Sequence, residues 1–188
     1  MKGALLVLGV VVLGAIIIGS YLFGVRNDLV RQQNDIQGKW AQVDNDLKRR
    51  ADLIPNLVET VKGYAKQEQT VFGDIAAARS RLLNAPSPQE AISANNQLTG
   101  ALSRLLVIQE RYPELKSNEN FLRLQDELAG TENRIAISRR DYNDAITKYN
   151  TNIELFPKSL AAAVFGFHRN DAYFKTTEEE KKVPSVKF

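Results

Sequence analysis

One histidine, His168, and no cysteine make up the whole supply of imidazole and thiol in this chain of 188 residues. Histidine-rich metal sites, cysteine–histidine nucleophiles and a helical H-E-x-x-H zinc motif therefore lack the residues to form them. No glycine-rich phosphate loop occurs, since Gly100, Gly130 and Gly166 stand isolated. Carboxylates are plentiful, but none lies in the E-x-x-H pairing that builds di-iron bundles. His168, beside Arg169 in a Gly-Phe-His-Arg turn, reads as an exposed loop residue. Only carboxylates and hydroxyls remain for chemistry, so no enzymatic activity, cofactor or metal is expected.

The informative polar residues sit beside apolar helical seams. Arg49, Arg50, Asp52 and Asn56 gather around Pro55, within a basic knot (Lys48-Arg49-Arg50) flanked by Asp44, Asp46 and Asp52. Glu132, Asn133, Arg134 and Arg139 lie on a later helix. Two readings fit: ion pairs and amides that set register between helices, with Asn satisfying backbone groups loosened by the proline, or a partner-binding patch. Tyr142-Asn143 and Tyr149-Asn150 recur seven residues apart, placing both tyrosines on one stripe as core residues with hydroxyls at the rim rather than as a binding cage.

These residues ride on helices. From Leu29 to Leu82 apolar positions step by three and four, a seam interrupted by Arg50 and Glu68, with a kink or short break expected near Leu53-Ile54 because Pro55 has no N–H. Asn84-Ala85-Pro86-Ser87-Pro88 stops and restarts the chain, with Ser87 as N-cap, Pro88 at the first helical position and Glu90 completing a capping box. A helix to about Tyr112 follows, then a turn and a long helix from Phe121 to Phe156. Lys158 to Phe165 makes a short Ala-rich helix, expected to cap the bundle rather than lie on a bilayer. From His168 onward the chain reads as a loosely ordered tail, with Glu178 to Lys182 a solvated run.

Before the bundle, about twenty-three residues from Gly3 to Val25 carry no charge. At ~1.5 Å per residue they reach ~34 Å, enough for a ~30 Å hydrocarbon core. The run exceeds the ~7–15 apolar residues of a cleaved signal and has no clear A-x-A site, so it reads as an uncleaved span. Ala15, Gly19, Ser20 and Gly24 are small residues that permit close helix approach and hence homo-oligomers, the other reading being the glycine content that membrane helices ordinarily tolerate. No linker of Gly, Ser or Pro separates the span from the seam. The expected organisation is therefore 1–25 as anchor, 26–167 as helical bundle and 168–188 as tail: an all-α protein whose transmembrane helix continues into an elongated antiparallel long-helix bundle. Net charge is only +3, and the part beyond the anchor is nearly balanced, so nucleic acid is not an expected partner. Lys/Arg near the span lean mildly toward a cytoplasmic bundle.

The runs Trp40 to Ala65, Tyr112 to Phe121 and Gln125 to Ala136, with the two Tyr-Asn pairs, Phe156-Pro157 and Gly166-Phe167, together resemble the bacterial LemA family. The departure is Gln67, where many relatives resemble His-Glu; Glu68 is kept. The resemblance implies an N-terminal membrane helix and a long-helix bundle but little about function. Lipoprotein-type starts in some relatives imply a bundle outside the cytoplasm, on the bacterial inner membrane. The expected role is a non-enzymatic scaffold that self-associates or holds a membrane-protein partner, with an adaptor for an envelope protease or stress sensor as the alternative.

Overall fold

The computed structural model describes residues 2–175. Six helices account for its regular structure: α1 (Lys2–Lys62), α2 (Gln69–Leu83), α3 (Pro88–Arg111), α4 (Pro113–Lys116), α5 (Glu119–Glu154) and α6 (Lys158–Phe165). No strand occurs among the described residues. One N-terminal helix thus carries the apolar run and continues, unbroken, into the bundle.

Two compact units divide the chain. The first joins residues 1–38 to 144–171. Val25, Leu29 and Ile36 of α1 are buried with Ile146 and Tyr149 of α5, while Ala161 and Ala162 bury one face of α6. A closed ring of polar side chains seals this packing. Gln32 donates to Asp28 at 3.0 Å, Asn152 donates to Gln32 at 2.8 Å, and Lys158 donates to both Asn152 (3.1 Å) and Asp28 (2.9 Å). The Lys158 ammonium, ahead of the opposing effect of burial, holds the Asp28 carboxyl below its ordinary range.

The second unit joins residues 39–143 to the segment starting at Ala172. Its core comes from the seam: Val43, Leu47, Ile54 and Leu57 of α1 are at most 1% exposed. Helices α2 and α3 run antiparallel, as the pairs Arg81–Gln97 and Asp74–Arg104 show. Ser87 caps α3 by accepting from the Glu90 N–H at 3.3 Å. The box is half formed, because the Ser87 hydroxyl, not its backbone N–H, donates to the Glu90 carboxylate. At one end of this unit Asn118 caps α5 through the Phe121 N–H and donates its amide to the Tyr64 hydroxyl.

Three expectations are corrected. The seam does not run as one helix to Leu82: the chain turns at 63–68 and restarts as α2. Nor does α1 break at Pro55, which lies inside the helix. The missing proline N–H leaves the Ala51 carbonyl without its intrahelical donor, and Arg79 of α2 supplies one, its Nε donating at 2.8 Å. Arg79, rather than Asn56, satisfies the loosened backbone. Arg79→Ala should therefore orphan a buried carbonyl and cost about 1–2 kcal/mol in denaturant unfolding, while a Pro55→Ala, Arg79→Ala double variant should recover most of it.

The third correction concerns the tail. Residues 167–175 have no regular secondary structure yet are strapped down, with Ala172 and Phe174 at most 5% exposed. In each unit an asparagine of the Tyr-Asn repeat satisfies a backbone N–H and C=O of this strap. Asn150 exchanges two bonds with Asn170 (2.7 and 2.9 Å), and Asn143 two with Phe174 (2.8 and 3.0 Å). The primary amide copies a peptide group, giving an extended segment the pairing a neighbouring strand would otherwise provide. His168 is exposed, and its carbonyl accepts from the Tyr149 hydroxyl at 3.0 Å. The Glu178 to Lys182 run lies outside the described residues.

Candidate functional site

The polar residues singled out in the sequence separate sharply by helical phase. Arg50 is buried, 6% exposed, one turn beyond the buried Asp46 on α1. Its Nη1 donates to Asn95 Oδ1 (2.9 Å) and Thr99 Oγ1 (3.1 Å), themselves one turn apart on α3. Both Nη1 protons are then spent, and Glu132 Oε2 of α5, 3.1 Å away, meets the guanidinium as an ion pair without an aligned hydrogen bond. Burial pushes the Arg50 guanidinium down from its ordinary value, and the Glu132 carboxylate opposes that shift. Arginine remains a cation at neutral pH regardless.

A second buried tie joins α1 to α5: Ser138 Oγ donates to Asp46 Oδ2 at 2.5 Å, and Gln42 approaches the same carboxylate. The antiparallel register is thus held by two polar locks, with Trp40 against Tyr142 (ring centroids 5.4 Å) beside them. Burial lifts the Tyr142 hydroxyl to about 12. An unfolded tyrosine ionises near 10. The folded chain therefore binds more protons between these values, so the contribution of this group is intact below pH 10 and is lost, by up to roughly 3 kcal/mol, toward pH 12. Tyr142→Phe should flatten that part of the alkaline unfolding profile.

Other members of the predicted cluster do not join Arg50. Arg49, Asn56, Asn133 and Arg134 are exposed. Asp52 is exposed too and reaches Arg79 only at 4.0 Å. Arg139 lies over the Phe174 ring, 4.8 Å from its centroid. Sequence reasoning missed Asn95, Thr99, Ser138 and Arg79, and gave Asp46 only as a flank of the basic knot. Gln67 donates to the Tyr112 hydroxyl, while Glu68 pairs with Arg111 at 3.0 Å.

Against the Arg50–Glu132 pair lies a cavity of about 510 Å³, its walls formed by Leu57, Leu102, Leu106, Leu128 and Ala129 with Gln125 at the side. Leu106 is 41% exposed, so the cavity opens on solvent between apolar walls. The arrangement can hold an apolar group beside the buried Arg50 guanidinium and its half-exposed Glu132 partner. Among the described residues no group of His, Asp or Glu gathers as metal ligands would.

On the apolar part of α1, Leu5 to Phe23 expose large side chains, most by more than half, and this is the one described helix long and apolar enough to cross a membrane. Gly19 and Gly24 have open space around them. Ala15 and Ser20 are likewise exposed.

The pattern of the LemA family matches residues 39–188. Protein LemA of Metamycoplasma hominis is 30% identical over 162 residues, covering 84% of this chain and 72% of that protein. Magnetosome protein MamQ 2 of Paramagnetospirillum magneticum is 27% identical, covering 79% of this chain and 64% of its own. Magnetosome protein MamQ of Magnetospirillum gryphiswaldense is 25% identical, with 76% and 62% covered. The chain thus spans less than two thirds of either MamQ protein. The family pattern takes in every helix from the middle of α1 onward, including the buried Arg50 lock, and this chain belongs to the LemA family.

Proposed function

We propose that this protein is a non-enzymatic, single-pass scaffold of the bacterial inner membrane, whose bundle self-associates or holds a membrane-protein partner on the extracytoplasmic side. The observation that carries the reading is the bare apolar surface of α1. Among the described residues the large side chains from Leu5 to Ile18 stand exposed, and the same helix passes without interruption into the buried seam. A patch of that size in water is unfavourable, and a bilayer covers it. Continuity makes the anchor an orienting element for the residues that follow it. The small residues Ala15, Gly19, Ser20 and Gly24, of which Gly19 is half-buried and the others exposed, offer a surface for a second span. Neither LemA nor MamQ is an enzyme name, which supports a role by binding.

Crosslinking and mass measurement in native membranes test this reading. A defined oligomer or a co-purifying membrane protein is expected; a strictly monomeric protein with no partner overturns it. The adaptor alternative draws on the cavity beside Arg50. It is separated by charge reversal at the exposed Arg49 or Arg134, where folding should survive and only a partner contact should be lost.

A further inference from the structure

We propose that α6 is an interfacial helix, its outer face seated in the headgroup layer and acyl boundary of the bilayer that holds α1. The proposal rests on the anchor reading and extends it to a second contact with lipid.

Helix α6 has two unlike faces. Ala161 and Ala162 are at most 3% exposed, turned into the first unit. On the other side Leu160 is 59% and Val164 69% exposed, and the preceding Leu155 and Phe156 are 59% and 79% exposed. Leu160 and Val164 are four apart and share one side of the helix. Four large apolar side chains thus crowd a short stretch of chain, exposed among the described residues.

The position of that stretch along α1 identifies what covers it. Lys158, at the start of α6, is tied to Asp28 at 2.9 Å. Phe165, at its end, meets the Phe23 ring with centroids 6.1 Å apart, and the Arg26 guanidinium lies 5.9 Å over the Phe165 ring. The uncharged run ends at Val25, so Asp28 stands ~4.5 Å beyond it along the helix and Phe23 just inside it. A headgroup layer is roughly 5–8 Å thick on each side of the hydrocarbon. Helix α6 therefore descends through that layer, from the polar ring around Asp28 to the edge of the hydrocarbon. Leu160 and Val164 lie between these limits, the depth where apolar side chains of interfacial helices bury. Arg26, beside Phe165, is at phosphate height, as expected of a basic residue flanking a span. Gly166, left-handed at φ 70°, ends the helix there and returns the chain toward the strap.

Because the chain contains no cysteine, single labels can be placed without altering it elsewhere. Full-length Leu160→Cys and Val164→Cys variants, nitroxide-labelled and reconstituted in phosphatidylcholine–phosphatidylglycerol bilayers, report depth by their accessibility to oxygen against a water-soluble nickel chelate. Val11→Cys serves as the mid-span reference and Ser93→Cys as the aqueous one. We expect oxygen-to-nickel ratios at 160 and 164 several-fold above that at 93 and below that at 11. Ratios at 160 and 164 equal to that at 93, with 11 in lipid, overturn the proposal and leave the anchor standing. Strong spin–spin broadening between copies at 160 overturns it in favour of a second chain on this face. An aqueous label at 11 removes the anchor reading and this one together.

Discussion

Replacing Arg50 by methionine is expected to cost about 3 kcal/mol of folding free energy, read as a lower denaturant midpoint at unchanged slope. Methionine fills much of the volume but leaves three polar groups facing it. Asn95 and Thr99 lose their shared donor, and Glu132 Oε2, which accepts no aligned hydrogen bond even in the native pair, loses its counter-charge. Most of the cost comes from these abandoned groups, since a paired buried charge contributes little net stability of its own. Adding Glu132→Gln to Arg50→Met should therefore recover about 1 kcal/mol, a modest share because the Glu132 side chain is 44% exposed and partly served by water. No recovery would mean that the Asn95–Thr99 bonds, and not the ion pair, carry the lock. Arg49→Met, one residue away, should be nearly neutral because that side chain is exposed.

The contrast between neighbouring arginines also explains what could be read from the sequence. Leu, Ile and Val at steps of three and four announce helix faces, and the all-α bundle followed from them. Arg50 falls in the phase of Val43, Leu47, Ile54 and Leu57, all buried, whereas Arg49 lies about 100° around the helix and faces solvent. Asn95 likewise holds a seam position between Ala91, Ile92 and Leu98. A polar residue in apolar phase was the available signal for the lock; grouping residues by adjacency, as with Asn133 and Arg134, obscured it. The turn at 63–68 leaves no mark in the apolar pattern, because Val61, Tyr64 and Ala65 keep helical spacing across it. Pro55 misled for the opposite reason. Its lost hydrogen bond is repaired by Arg79, whose approach to Ala51 depends on how α2 packs, a tertiary fact with no local signature.

The strap shows the same limit from another side, and it carries the second large effect. Residues after Phe167 lack periodicity, so the sequence offered only composition, which reads as tail. Yet Phe174 is 5% exposed, with its ring 6.2 Å from Trp40, 6.1 Å from Tyr142 and under the Arg139 guanidinium. Phe174→Ala should cost about 3 kcal/mol, toward the low end for a buried aromatic because a segment without regular secondary structure can shift to close part of the cavity. Trp40 is the single tryptophan, so its emission should move to the red as water reaches the vacated space. Asn143→Ala, which removes both bonds to the Phe174 backbone but no ring, should cost less, about 1–2 kcal/mol. A loosely ordered tail makes the opposite forecast for both variants: no loss of stability and no change at Trp40. If the ring alone mattered, Asn143→Ala would be silent while Phe174→Ala was costly. The arrangement of amide and ring on one residue predicts that both respond, with the phenylalanine dominant because it fills the space between α1 and α5 at Trp40 and Tyr142.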